Sequence, residues 1–407
     1  MIRSYRGHSP QIPASCYIDP SAQILGDVGA DVIKVERPGT GDDARNWAPP
    51  YWGPVGVTFL SLNRSKRSLA LDFKDEQGRE VLHRLLVGSD VLIQNLRPGA
   101  LTAAGFGPER LTEINPRLIY CDLTGFGAAG PLAGKPAYDP LLQAFSGIVS
   151  ITGDDSGAPA RVPVSVLDIG TGMWTALAVF EALRRREVTG RGCHVELSLL
   201  QTALTWLAPA LMGVMAGNPP PERLGSGHAG VVPYGAFPSS DGWIFISAGN
   251  DATWTRLCRS LDAPELLGDE RFTGNVSRAS HRAEVNQALA AVTSRQSSAD
   301  LLTRLEAAGV PCSPVNTVDR VLCEPQVAAI GALRGLPRDD IPDLTVINPP
   351  FTFDGAYPRL GAAPPRLGAH TKVILHELGY EPLAVQRLVD AGVVELADPA
   401  RKERSSG

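Results

Sequence analysis

Residues 31–36 read Asp31-Val-Ile-Lys-Val-Glu36, a short run dominated by β-branched side chains. Such a run fits a buried strand. The segment before it, Ser21 to Gly29, reads as a short helix closed by glycine. Ser68 to Asp72 is a second expected strand, and Glu76 to Val87 then shows helical spacing, with Val81, Leu82, Leu85 and Leu86 on one side. Val91–Gln94 and Leu118–Leu123 supply a third and a fourth strand. Strands alternating with helices predict an α/β fold built on a mostly parallel sheet with helices on both faces.

Further along, Asp168 to Arg186 is the longest helical pattern. It opens on polar and small residues and ends on Arg184-Arg185-Arg186, a charge order that suits the helix dipole. A short strand, His194–Ser198, and an apolar helix to about Ala216 follow. Residues 217–227 (Gly217-Asn-Pro-Pro-Pro-Glu-Arg-Leu-Gly-Ser-Gly227) have linker composition. The expected organisation is an atypical segment at 1–20, a large domain at 21–216 and a smaller inserted domain at 225–325. A C-terminal segment at 326–395 returns to the large domain, and a disordered tail covers 396–407. Two or three domains suit 407 residues, at roughly 150 residues each.

The formal net charge of -5 argues against nucleic acid as a partner. Residues 1–20 carry Arg3, Arg6 and His8 without an apolar leader core. No apolar run is read as approaching the ~20 residues of a membrane helix. Cys16, Cys121, Cys193, Cys258, Cys312 and Cys323 are scattered, with no C-x-x-C pair. No metal site is therefore expected, and a reducing, cytoplasmic location is.

Gly125-Phe-Gly-Ala-Ala-Gly130 matches G-x-G-x-x-G. A dinucleotide fingerprint also needs a helix opening at the third glycine, and Pro131, Gly134 and Pro136 forbid one. No phosphate-binding P-loop and no G-x-S-x-G elbow occurs. His281 and His376 read as solvated. Asn63-Arg-Ser-Lys-Arg-Ser68 is a basic loop entering a strand, and Arg37, Lys74 and Arg97 stand just beyond three expected strands. In parallel sheets ligands bind beyond the carboxyl ends of strands. These cations therefore fit a polyphosphate site, and equally a set of unrelated surface charges. Asp168 also has two readings. An aspartate at a helix start is ordinarily an N-cap. Yet Gly170, Thr171 and Gly172 follow it, so a ligand could approach closely, and a carboxylate in a buried first turn is a potential nucleophile.

Taken in order, several stretches resemble the class III CoA-transferases, the family of formyl-CoA transferase and carnitine CoA-transferase. They are Gly29–Gly39, Asn63–Asp72, Asn95-Leu-Arg-Pro-Gly99, Thr124-Gly-Phe-Gly127, Ala137-Tyr-Asp139, the Asp168 helix, Thr189-Gly-Arg-Gly192, Val232-Pro-Tyr234 and Leu367-Gly-Ala-His-Thr371. The resemblance implies a Rossmann-like large domain, a smaller α/β domain and an interlocked homodimer. It implies transfer of CoA from an acyl-CoA donor, such as succinyl-CoA, to a small carboxylic acid, with no permanently bound cofactor. Asp168 aligns with the family's catalytic aspartate, which forms an anhydride and then a CoA thioester. The family's CoA contacts carry over to Arg37, Leu71, Lys74, Asn95, Leu96, Arg97, Tyr138 and Asp139. The family's glycine-rich substrate loop falls on Gly225, Gly227 and His228, where His228 is either a substrate contact or an ordinary loop histidine.

The chain departs from the pattern in places. The family opens with an apolar strand and a Gly-Pro turn. Residues 1–20 show no such strand, and Asp19-Pro20 stands near the turn's place. Ala103 and Ala369 replace a frequent Arg and Glu. Racemases of the same family carry Gly-His-Asp where this chain has Ala137-Tyr-Asp139. A phenol with pKa near ~10 is a poor base at neutral pH, so transfer is preferred to racemisation. The remaining alternatives are a catalytically silent CoA-binding paralogue and, more remotely, a dehydrogenase.

Overall fold

The structure is a computed structural model, and it describes residues 11–14, 20–155 and 157–397. The expectations for most of residues 1–20 and for 398–407 lie outside the described residues. The chain divides into two compact units. One comprises the described residues up to 146 with 163–209 and 331–397; the other comprises the described residues of 147–162 and 210–330.

The first unit is built on a seven-stranded sheet. Its strands in chain order are β1 (Gln11–Ala14), β2 (Asp31–Glu36), β3 (Lys66–Leu71), β4 (Val91–Gln94), β5 (Ile119–Thr124) and β6 (His194–Ser198), with a last short strand, Val394–Glu395. The spatial order is Val394–Glu395, β3, β2, β1, β4, β5, β6. All pairings are parallel except that of Val394–Glu395 with β3. The helices that matter below are α1 (Pro20–Asp27), α2 (Glu76–Val87), α3 (Asp139–Ser146), α4 (Val166–Thr189) and α5 (Leu199–Trp206).

The strands carry apolar residues on both faces because both faces of the sheet are covered. Ile33, Val35, Leu69, Leu71 and Leu92 pack on one side with Val81, Leu85 and Leu86 of α2 and with Ile374 and Leu388 near the C-terminus. Val32, Val91, Ile93, Ile119 and Cys121 pack on the other with Ala22 and Leu25 of α1 and Ala176 and Val179 of α4. The period-two alternation sends neighbours such as Val32 and Ile33 into different cores.

Strand β1 corrects the expectation that no strand precedes residue 21. Gln-Ile-Pro-Ala carries little strand signal, because proline cannot donate to a ladder. Its slot is set by its neighbours: β1 pairs with β2 over its whole length and with β4 at Ala14. Without it the central edges of β2 and β4 would be left unpaired.

Helix α4 corrects the membrane reading. Its 24 residues are long and apolar enough to span a bilayer by length and composition, and half of the apolar window is buried in the fold. The buried stripe, with Ala176, Val179, Ala182 and Leu183, packs on α1 and the sheet. The helix stops at Gly190, whose φ of 70° lets its N–H reach the Arg186 carbonyl at 2.8 Å.

The second unit carries a three-stranded antiparallel sheet, β7 (Tyr234–Pro238), β8 (Trp243–Ser247) and β9 (Cys312–Pro314), with β8 in the middle. Helices Asp251–Ser260, Arg282–Thr293 and Ser298–Ala307 close over it, burying Phe237, Ile244, Ile246, Trp254, Leu289 and Leu301. Arg278 is fully buried and donates to the carbonyls of Val232, Phe272 and Gly249 and to Asp251. The expected boundaries of 225–325 fall inside this unit. Residues 147–162 join it as well, which composition does not show.

Candidate active site

The six parallel strands share one carboxyl edge, and the loops leaving it carry most of the expected site residues. Arg37 follows β2, Leu71 ends β3 with Lys74 beyond it, and Asn95, Leu96 and Arg97 follow β4. Helix α4 crosses from the loops after β5 to the start of β6. Its N-terminus therefore lies at the same edge, and Asp168 with it.

The Asn63–Ser68 basic loop lies at the opposite end of β3, and its charges are consumed by the fold. Arg64 pairs with Asp27 at 2.6 Å, both buried. Lys66 donates to Asn63 at 3.1 Å. Arg67 bridges Asp31 at 2.7 Å and Glu377 at 2.8 Å. These cations are structural. Lys74 and Arg97, by contrast, are exposed and make no ion pair among the described residues. Arg37 is exposed and paired with Asp43. The loop that carries it rests on a buried network. Arg45 grips Glu36 through two bonds of 2.8 Å, Ser68 donates to Glu36 at 2.7 Å, and Lys34 pairs with Asp42. Burial raises the Glu36 carboxyl, but Arg45 outweighs it and the net position is down, at about 2.

Asp168 is not the N-cap of α4. Ser165 holds the cap position, with no side-chain bond. The free amides are taken by a carboxylate from another helix: Asp139, at the start of α3, accepts from Leu167 N at 2.6 Å and from Asp168 N at 3.2 Å. Its second oxygen accepts from Gln143. Asp139 is buried at 2% exposure, whereas Tyr138 beside it is half exposed. With the amides satisfied by Asp139, the Asp168 carboxylate is left without a hydrogen-bond or ion-pair partner among the described residues. Burial first, and then the Asp139 charge, push the Asp168 carboxyl up to about 7. A carboxylate with no stabilising partner, at the mouth of a sheet edge, is chemically poised to act as a nucleophile or base.

The small residues after Asp168 have a different role from the expected one. A Cβ on Gly170 would sit 2.9 Å from the Trp206 ring and 3.1 Å from Thr202 of α5. Thr171 and Thr202 share a hydroxyl hydrogen bond of 2.8 Å, both buried. Gly170 and Thr171 thus allow α4 and α5 to pack closely; they do not open space for a ligand. The glycine-rich motif at 125–130 opens no helix, and the next helix begins at Asp139. A Cβ on Gly125 would lie 2.0 Å from that of Ala137, so this loop folds tightly against the segment leading to Tyr138.

Gly225, Gly227 and His228 lie in the second unit, in a well-tied loop. Gly225 N donates to Gly153 O at 3.0 Å, and Gly227 N to Leu224 O at 2.8 Å. Arg282 holds the carbonyls of His228 and Ala229 at 2.8 and 2.7 Å. His228 Nδ1 accepts from Gly230 N at 3.1 Å, so the imidazole shapes its own turn. The ring packs at 5.7 Å from that of Tyr234. Sequence reasoning missed Gln94 and Asp122, which stand beneath the Asn95–Arg97 loop; both lie within strands and look like ordinary strand polar residues.

A family model described as CoA-transferase family III matches residues 20–371. The human protein named succinyl-CoA:glutarate CoA-transferase is 36% identical over 372 residues, covering 91% of this chain and 85% of that protein. The Agrobacterium fabrum protein named succinate–glutarate CoA-transferase is also 36% identical, over 88% of this chain and 91% of its own length. A crystal structure of a CAIB/BAIF family protein from Brucella suis superposes with a TM-score of 0.84 at 36% identity, covering 91% of this chain and 98% of that one. The family match spans both units and includes the α4 segment that carries Asp168: this chain belongs to CoA-transferase family III and is an enzyme of that class.

Proposed function

We propose that the enzyme moves CoA from succinyl-CoA to a small dicarboxylic acid of glutarate size through covalent intermediates on Asp168. The observation that carries this reading is the Asp168 carboxylate itself, at the carboxyl edge, partly buried, without a partner among the described residues and raised to about 7. Two relatives named for succinate and glutarate support the choice of donor and acceptor.

The chemistry is two mirrored exchanges. An Asp168 oxygen attacks the donor thioester carbonyl, the C–S bond breaks, and CoA thiolate leaves an aspartyl–succinyl anhydride. The thiolate then attacks the Asp168 carbonyl, releasing succinate and leaving an aspartyl-CoA thioester. The acceptor carboxylate attacks that thioester to form a second anhydride and thiolate. The thiolate finally attacks the acceptor carbonyl, giving the new acyl-CoA and restoring the Asp168 carboxylate. One thioester replaces another, so no outside energy source is required. Lys74, Arg97 and Arg37 bind the CoA phosphates, with Leu71, Asn95, Leu96 and Tyr138 along the same edge, and Asp139 holds the nucleophile's helix.

The large unit is Rossmann-like in this reading, supported by its strand order, which is 3-2-1-4-5-6 across β3 to β6. An interlocked homodimer is supported by the apolar surface on α4 and its neighbours. Met173 and Leu177 are 50% and 58% exposed, with Trp174, Phe145 and Trp206 similarly open, more than an isolated chain ordinarily leaves in water. A cytoplasmic location is supported by the cysteines, all of which are free among the described residues. The test is a donor–acceptor screen read by the mass of each CoA ester. Succinyl-CoA and glutarate should yield glutaryl-CoA and succinate. Exchange that survives in Asp168→Ala overturns the mechanism.

A further inference from the structure

Gln94 ends β4 and faces Asp122 directly across the strand pair, in the register Gln94↔Asp122. Its side chain is buried at 5% exposure. Its Oε1 accepts from Leu96 N at 2.7 Å, closing the turn that leads into Asn95–Arg97. Its Nε2 donates to Tyr120 Oη at 3.2 Å and to Asp122 Oδ1. Tyr120 Oη donates in turn to Asp122 Oδ2 at 3.2 Å. The His194 ring, from β6, stacks on Tyr120 at 4.7 Å, with Nε2 3.8 Å from Asp122. Glu196, opposite Asp122 on β6, adds a second carboxylate on that side.

A primary amide has one end that donates and one that accepts. The Asp122 carboxylate only accepts when ionised, so it selects the NH₂ end of Gln94. The oxygen end is thereby turned toward Leu96 N. A partly buried carboxylate on β5, the strand next to the sheet edge, thus dictates which way a loop amide is held. We propose that Gln94, oriented by Asp122 and Tyr120, is a positioning residue that fixes the Asn95–Arg97 turn in the conformation that grips acyl-CoA. This rests on the reading of the carboxyl edge as the CoA site.

The test compares Gln94→Met and Gln94→Glu with the wild type and with Arg97→Ala and Lys74→Ala. Met keeps the length and loses all three bonds; ionised Glu cannot donate to Asp122 and faces that carboxylate, Glu196 and the Tyr120 phenol, with the His194 ring nearby. Either variant should raise KM for succinyl-CoA about tenfold, the worth of one to two lost hydrogen bonds. KM for the acceptor and kcat should stay within about twofold. Deuterium uptake should rise in the peptide spanning residues 95–97, while peptides from α2 and β2 exchange as in the wild type. Gln94→Glu decides the matter if Gln94→Met does not fold. If a folded Gln94 variant keeps the wild-type KM for succinyl-CoA while Arg97→Ala and Lys74→Ala raise it, the positioning role is overturned and the CoA site stands. If none of the four variants changes that KM, the assignment of this edge to CoA fails, and the positioning role with it.

Discussion

Asp168 and Asp139 divide the two tasks that an acidic residue at a helix start can perform. Asp139 caps the helix, and in the proposed mechanism Asp168 is left for chemistry. Two pH effects follow. Since the proposed mechanism needs Asp168 ionised to attack, kcat/KM for succinyl-CoA should rise with pH and level off, with a midpoint near 7. Asp139→Asn removes the neighbouring charge while its oxygen can still accept from Leu167 N, so the midpoint should move down. A pH–rate profile of both proteins checks this, and an unmoved midpoint would separate the two carboxylates electrically. The second effect is on stability. The folded carboxyl is raised above its ordinary value of 3.8, so the unfolded chain loses this proton first as pH climbs. The destabilisation is absent below about pH 4, grows between 4 and 7 and is complete above 7. Asp168→Asn should therefore melt higher than the wild type at pH 8 and equally at pH 4. At ~1.4 kcal/mol per unit, the gap at pH 8 has an upper limit of roughly 4 kcal/mol.

At the scale of elements, the approach of α4 to α5 sets where Asp168 is presented. Gly170→Val would drive its side chain into Trp206 and Thr202, an overpacking that costs about 1–3 kcal/mol. Thermal unfolding should show the loss, and activity should fall by more than the stability change accounts for, because the helix start shifts. What was legible in the sequence follows the same lines. Strands β2 to β5 carry apolar residues on both faces, so their alternation with helices reveals a covered parallel sheet. The charges beyond those strands are legible because topology alone puts them at one edge. The Asp139 cap is not legible, because its amides lie 28 and 29 residues away. Gln94 and Asp122, also 28 residues apart, are hidden for the same reason. Gly170 was misassigned because close helix packing and close ligand approach ask for the same small residue. Strand β1 was missed because its proline speaks against a ladder that its neighbours nonetheless complete.

For the whole molecule, covalent catalysis and dimerisation are proposed. Sedimentation velocity should give twice the 43.2 kDa chain mass at micromolar concentration, and Leu177→Asp on the open face of α4 should lower that mass or the yield of folded protein. A wild-type monomer would leave the apolar face of α4 unexplained. Covalent catalysis is tested most directly by intact-protein mass spectrometry after brief exposure to succinyl-CoA without acceptor. A species heavier by one CoA less one water should form, mapped to the peptide carrying Asp168, discharged by hydroxylamine or by glutarate and missing from Asp168→Asn. An adduct on another residue, or CoA exchange undiminished in Asp168→Asn, would contradict it.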